Sequence, residues 1–251
     1  MKRIRLTIAY DGTNYCGWQI QNNAVTIEEE LTKALYQLLN EETEVLGASR
    51  TDSGVHALGN VAVFDTDTRI PPEKIAIALN HYLPEDIRVQ KSEEVGAEFH
   101  PRYCESTKTY EYTILNTRIG NPVRSRYSYH VCQPLDVYDM RKAAEFLTGT
   151  HDFSAFCSAG SQVKSKVRTI YSAEIEEQPV LYGNNGKEVH IRISGNGFLY
   201  NMVRIIAGTL IEVGQGRRSI ASVEEAVKTG DRSKAGPTAP PQGLTLIEIK
   251  Y

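Results

Sequence analysis

The chain opens on an alternation. Ile4, Leu6, Ile8 and Tyr10 are separated by Arg3, Arg5, Thr7 and Ala9. A period of two puts the first set on one face, so residues 3–10 are predicted as a half-buried strand with a basic outer face near its start. Asp11 and Gly12 end it, and the polar, aromatic stretch TNYCGWQIQNN follows as a loop. The period then changes. Thr26-Ile27-Glu28-Glu29 reads as a capping box, and Ile27, Leu31, Ala34, Leu35 and Leu38 share one helical face, predicting a helix that ends near Asn40. A short strand is expected at 44–46, a loop over GASRTDSGVHA and a strand at 61–64. Pro71-Pro72 opens a helix running to about Tyr82, and a strand at 87–91 follows Pro84. The first half reads β-α-β-α-β.

The second half alternates element types in a similar way without repeating the sequence. Residues 106–116 are strand-like, with Lys108, Tyr110, Tyr112 and Ile114 on one face by parity. Residues 136–147 predict a helix with Val137, Met140, Ala144 and Leu147 inward and Gly149 beyond its end. Strands at 168–176 and 189–193 flank a turn at 182–186. A mostly apolar helix at 198–213, a shorter one at 220–228 and a closing strand at 244–249 complete an α+β chain. A boundary near residue 104 divides it into 1–104 and 105–251. Nothing there resembles a flexible linker, so the halves are expected to share one sheet.

Charge refines this picture. The 251 residues carry 28 Lys and Arg against 31 Asp and Glu, a net of −3, which excludes a uniformly basic nucleic-acid sponge but not a local basic groove. Residues 28–44 hold six Glu against Lys33 alone, which reads as a solvated acidic helix face turned from any polyanion. Between Phe99 and Tyr127, Arg102, Lys108, Arg118, Arg124 and Arg126 meet only Glu105 and Glu111. Lys164, Lys166 and Arg168 alternate, so an extended segment would present them on one side. Tyr103, Tyr110, Tyr112, Tyr127 and Tyr129, of fourteen tyrosines in the chain, interleave with these clusters, a surface suited to stacking on bases, although tyrosine is also an ordinary strand residue. The four cysteines form no CxxC, and the six histidines show neither HxxxH nor HExxH. No Walker A sequence occurs, and Gly195-Asn196-Gly197 lacks the third glycine of a dinucleotide loop. No metal site is expected on these grounds. Residues 1–12 hold no signal-peptide core, and no uncharged apolar run reaches the roughly 20 residues of a spanning helix. A cytoplasmic protein without a membrane segment is expected.

Two segments carry candidate chemistry. Ser49-Arg50-Thr51-Asp52-Ser53-Gly54-Val55-His56 concentrates polar groups before a strand. Turn chemistry alone accounts for Asp-Ser-Gly. The functional alternative makes Asp52 a lone reactive carboxylate, kept ionised and oriented by an arginine. His56 is either an acid–base group or a histidine packed at a strand entry. In the second segment, Arg204 sits in an apolar helical run. It is either a snorkelling surface residue or a partly buried ion-pair partner, for which Asp52 is a candidate carboxylate.

SRTDSGVHA (49–57) is one of an ordered series: YDGTNYCGWQIQ (10–21), ALNHYLPEDI (78–87), FHPR (99–102), KTYEY (108–112), HDFSAF (151–156), VRTI (167–170), GNGFLYNMVRIIAGTL (195–210) and APPQGLTL (239–246). By this series the chain resembles the TruA-type tRNA pseudouridine synthases over essentially its whole length. It departs from the family at Ser49, where glycine is usual, at Ser53, where alanine is common, and at Pro101, where alanine stands in FHAR. The resemblance implies a pseudouridine synthase fold: two ferredoxin-like halves sharing a central, mostly antiparallel sheet, with helices and a cleft between the halves. It implies isomerisation of uridine to pseudouridine in the tRNA anticodon stem–loop, at positions 38, 39 and 40, by a homodimer with no metal and no organic cofactor. It carries the catalytic aspartate onto Asp52, acting as nucleophile or as a base at C2′. Arg204 becomes its ion-pair partner, and Arg50 the arginine that helps extract the target nucleotide. Tyr110 becomes the active-site tyrosine, stacking on uracil or assisting proton transfer, for which an ordinary phenol pKa near 10 is unfavourable. Lys108, Arg118, Arg124, Arg126, Lys164, Lys166 and Arg168 are expected to bind the substrate RNA. Two other readings stand beside this one. One is a non-catalytic RNA-binding or RNA-folding protein on the same scaffold. The other is a metal-dependent phosphoesterase using Asp11, Asp52 and His56, whose spacing is poor.

Overall fold

Strand β1 (Lys2–Tyr10) buries Ile4, Leu6, Ile8 and Tyr10 and leaves the residues between them half-exposed, as its alternation requires. This is a computed structural model, and it describes residues 1–161, 163–180 and 186–251. The chain divides into two compact units, Met1–Ser106 with Thr245–Tyr251, and Thr107–Leu244. Both mix helix and sheet, and the fold class is α+β.

In the first unit, β1 lies between β3 (His56–Thr66) and β4 (Ile87–Val95), antiparallel to both. The short strand β2 (Leu46–Gly47) pairs antiparallel with β3. Helix α1 (Ile27–Leu39) starts where Thr26 Oγ1 accepts the Glu29 N–H at 3.4 Å. Only this half of the expected capping box forms, because the Glu29 carboxylate turns to Lys33 at 2.7 Å. Asn40 ends α1 in the left-handed region, φ 55°. Helix α2 (Pro72–Leu79) stops short of Tyr82. The Asn80 amide explains the early end: it donates to Val89 O at 2.9 Å and accepts the Val89 N–H at 2.8 Å, clasping the chain to β4.

The second unit contains β5 (Thr107–Thr117), β6 (Tyr129–Val131), α3 (Val137–Glu145), β7 (Gly149–Asp152), β8 (Val167–Pro179), β9 (Gly186–Gly195), α4 (Met202–Gly214) and α5 (Ile220–Thr229). Its sheet runs β5-β9-β8-β7 with antiparallel pairs, and β6 pairs parallel with β5. The turn expected at 182–186 lies, up to residue 185, outside the described residues. Helix α3 is capped by Asp136, whose carboxylate accepts the Asp139 N–H at 3.0 Å. Helix α4 buries every residue except Arg204 and Glu212, so it forms the apolar core of this unit. It begins at Met202 rather than at 198, because Asn201 adopts φ 60°, ψ 10° and breaks the helical run before it.

The closing strand β10 (Leu244–Lys250) pairs in parallel with β3, Thr245 opposite His56. A division into 1–104 and 105–251 leaves this strand with the second half. Its alternation announces a strand but not a partner, and its end is tied to the first unit. The Tyr251 hydroxyl donates to Pro101 O at 2.8 Å, its ring meets Phe99 edge-on at 4.8 Å, and the Arg5 guanidinium covers both rings. Among the described residues no helix is long and apolar enough to cross a membrane.

Three carboxylates depend on this register. Arg3 forks onto Asp65 at 2.8 and 2.7 Å and holds its carboxyl below the usual range. Arg5 does the same for Glu93, and Glu111 is lowered first by its bond from His190 and then by Arg192. Depressed folded-state pKa values contribute stability that is complete above the ordinary carboxylate range and is lost as pH falls through the folded values. The melting temperature is therefore expected to fall between about pH 6 and pH 3, and Arg3→Gln to make that fall shallower by raising the folded Asp65 value. An Arg3→Gln curve parallel to wild type throughout would contradict this.

Candidate active site

The segment between β2 and β3 is a tightly bonded turn. Trp18 N–H donates to Thr51 O at 3.1 Å, Gly54 N–H to Tyr15 O at 3.2 Å, and Val55 N–H to Asp52 O at 3.1 Å. The Ser53 hydroxyl adds a bond to Tyr15 O at 3.3 Å. Thr51 is buried, and its hydroxyl shares a 2.8 Å hydrogen bond with Tyr10 OH. Asn60, fully buried on β3, donates to Tyr10 OH at 3.2 Å and to Ser49 O at 3.1 Å. The neighbours of Asp52 are thus fixed, while Asp52 is half-buried and Arg50 is exposed.

Two glycines of the 10–21 stretch make this possible. A Cβ on Gly12 would lie 2.0 Å from Val55 O, and one on Gly17 would lie 2.5 Å from Thr51 O. Gly17 also has φ +87°. Trp18, 1% exposed, seals the seat beneath Tyr10 at 6.1 Å between ring centres. The YDG and GW elements are therefore the bed on which the Asp52 turn lies.

His56 packs at the entry of β3, almost wholly buried, with Nδ1 3.1 Å from the Gly12 N–H. Asp11 Oδ1 lies 3.1 Å from the same nitrogen and accepts the Thr13 N–H and hydroxyl. Among the described residues no three His, Cys, Asp or Glu gather to hold a metal, so Asp11, Asp52 and His56 do not form a ligand set.

The second unit carries the other assigned residues. Tyr110 on β5, opposite Ile193 of β9, is buried with its ring edge-on to Phe198 at 5.2 Å. Lys108 stands on the same face, opposite Gly195. Tyr112 is fully buried and donates to Pro240 O at 2.8 Å, and burial pushes its phenol far above the usual value. Arg204 occupies the first turn of α4, not the helix interior, and is half-buried. Its Nε donates to Ala239 O at 2.8 Å, its Nη1 to Asn201 Oδ1 at 2.8 Å, and its carbonyl accepts the Ala239 N–H at 3.1 Å. A guanidinium held at two of its nitrogens does not snorkel into solvent.

The remaining basic residues differ in availability. Arg118 and Arg126 are exposed between β5 and β6. Arg124 forks onto Glu188 of β9 at 2.7 and 2.8 Å. Lys164 is exposed and Lys166 half-buried, both ahead of β8, so the expected alternation does not fall on a strand. Arg168 bonds Ser165 O and Val167 O, and burial lowers its pKa from the ordinary value. Asn60, Ser158, Asn201 and Ala239 were not singled out in the sequence. Asn201 does carry a signal, since an asparagine directly before an apolar helix is a cap candidate. Asn60, inside a strand, carries none.

The model of the family described as tRNA pseudouridine synthase matches residues 6–104 and 143–251. These spans include Arg50, Asp52, Lys164, Lys166, Arg168 and Arg204; Lys108, Tyr110, Arg118, Arg124 and Arg126 fall between them. The chain belongs to this family, a class of RNA-modifying isomerases. Within it, the chain is 49% identical over 251 residues to the tRNA pseudouridine synthase A of Thermoanaerobacter sp. (strain X514). It is 51% identical to that of Ruminiclostridium cellulolyticum and 47% to that of Brevibacillus brevis. Each alignment covers 100% of both proteins.

The seat of the Asp52 turn is testable by stability. Gly17→Ala combines a clash with Thr51 O and a left-handed φ, whereas Gly160→Ala has a similar φ, +86°, with nothing within 4 Å of the added Cβ. Gly17→Ala is expected to cost about 2–4 kcal/mol, against about 1 kcal/mol for Gly160→Ala. Equal shifts in melting temperature would show that the approach is not tight.

Proposed function

We propose that this chain converts uridine to pseudouridine in the anticodon stem–loop of tRNA, at positions 38, 39 and 40, with Asp52 as the catalytic carboxylate and no metal or organic cofactor. The observation that carries this reading is the Asp52 turn: its backbone and both neighbouring residues are tied down, and its carboxylate is half-buried. Membership of the family supplies the reaction class. In that reaction the N1–C1′ bond breaks, the uracil turns, a C5–C1′ bond forms, C5 loses its hydrogen and N1 gains one.

Asp52 acts either by attack or as a base at C2′, and both need the ionised form. Arg204 is proposed to pair with it, which lowers a carboxylate pKa and fixes its orientation. Arg50, exposed on the same turn, helps hold the target nucleotide out of its stem, offsetting an unstacking cost of a few kcal/mol. Tyr110 stacks on the extruded uracil, its ring already braced by Phe198. Lys108, Arg118, Arg126, Lys164, Lys166 and Arg168 are the proposed phosphate contacts. Arg124 contributes less, because it must first leave Glu188. The working enzyme is proposed to be a cytoplasmic homodimer with tRNA bridging both subunits. An RNA-folding protein would use the same basic and tyrosine-rich surface but has no need of a carboxylate on a rigid turn.

With tRNA labelled with tritium at uracil C5, and EDTA present, wild type is expected to release label. Asp52→Asn is expected to slow release by at least about 1,000-fold while binding tRNA within about threefold of wild type. An equally active Asp52→Asn would sink the mechanism. No release by wild type from a tRNA that it binds would favour the RNA-folding reading. Affinity is also expected to drop steeply with salt, and Arg118→Ala to reduce the log–log slope by about one. An unchanged slope would remove Arg118 from the contact set.

A further inference from the structure

Asn201 stands where a helix cap belongs but does not cap. An asparagine at this position ordinarily accepts a backbone N–H from the first turn of its helix. Here no side-chain cap bond forms. The amide is spent elsewhere: Oδ1 accepts Arg204 Nη1 at 2.8 Å, and Nδ2 donates to Ser158 Oγ at 2.9 Å. The Ser158 backbone N–H in turn bonds Tyr200 O at 3.1 Å. The backbone of Asn201 meanwhile lies at φ 60°, a region that asparagine tolerates and most residues avoid. Only Asn40 shares a positive φ among the described non-glycine residues, and there it simply ends α1.

The guanidinium is thereby held from two sides. Ala239 O takes Nε and Asn201 takes Nη1, so rotation about the Cδ–Nε and preceding bonds is restricted and the plane of the cation is set. The guanidinium can only donate, so it takes the Oδ1 end of the amide, and the Ser158 hydroxyl holds the other end by accepting from Nδ2.

We propose that Asn201 is a positioning residue for the reaction, a strained cap whose side chain, oriented by Ser158, aims the Arg204 guanidinium at the catalytic carboxylate. The inference rests on the reading of Asp52 and Arg204 given above. It assigns Asn201 and Ser158 no contact with substrate. Their effect is on the rate of the chemical step rather than on tRNA binding, because only the orientation of Arg204 changes.

Asn201→Gly isolates the side chain, because glycine keeps the left-handed backbone without strain. In the full-length protein, with the tritium-release assay over a range of tRNA concentrations, Asn201→Gly is expected to lower kcat by about 10- to 100-fold and to leave KM within about threefold. Its melting temperature should stay close to wild type. Ser158→Ala is expected to lower kcat in the same direction by about threefold or more and to add nothing in the Asn201→Gly background. In an Arg204→Lys background, where the fork is absent, Asn201→Gly is likewise expected to add little. Wild-type kcat in Asn201→Gly, a loss confined to KM, or effects multiplying fully with Arg204→Lys would overturn the proposal. If Asp52→Asn is inactive and Asn201→Gly is not impaired, the positioning role alone fails. If Asp52→Asn is fully active, the underlying reading fails and this inference with it.

Discussion

The close passage of residues 12–17 beneath residues 51–55 governs the first unit. Loops that carry reactive groups are usually the mobile part of a fold. Here the reverse holds, because two segments of the chain meet at distances that exclude any side chain at Gly12 or Gly17. The position of the Asp52 backbone is therefore set by main-chain packing. The strand register serves the same end. Pairing of β1 with β3 shifts between Ile8 and Tyr10, and this irregularity places Tyr10 opposite Ala57, with its hydroxyl on Thr51. Asn60 then joins Tyr10 to Ser49, so a buried polar network is satisfied within itself rather than left as a cost.

The second unit handles a cation by a different route. Arg204 sits in the first turn of α4, the end of a helix that disfavours positive charge by about 0.3–1 kcal/mol. It is also half-buried at the edge of the most apolar helix in the chain. Neither placement helps stability. A carbonyl and an amide oxygen offset the cost locally, and the second of these requires a strained backbone at Asn201. Three unfavourable choices, two at Arg204 and one in the backbone of Asn201, thus meet at one point of the fold.

Periodicity made the long elements legible: β1 by strict alternation, α1 and α3 by helical spacing, β5 by its tyrosines. It failed where the deciding information was not periodic. The three-residue β6 is too short to show alternation. The start of α4 depends on one asparagine's φ, whereas the apolar run itself extends back to Phe198. The partner of β10 is a tertiary fact that its seven residues do not encode. At the site, the residues alone favour turn chemistry for Asp52 over catalysis, and it is the ordered motifs that point to catalysis. Those motifs did not explain themselves. That YDG and GW are the underside of the Asp52 turn, and that Asn201 and Ala239 grip Arg204, emerges only when distances are available.

Charge shows the same limit and bears on how a chain of net charge −3 meets a polyanion. Counting basic residues overstates the phosphate contacts. Arg3, Arg5, Arg124, Arg192 and Arg218 are each committed to a carboxylate at about 3 Å or less. Lys33 is likewise held by Glu29 and Glu30 on α1. Such pairs contribute little stability at a surface, but each removes a cation from the pool that can displace counterions from RNA. Arg118, Lys164 and Lys166 have no ion pair among the described residues. What decides RNA affinity is thus the placement of uncommitted cations, and the salt dependence should report a contact number well below the 28 basic residues of the chain.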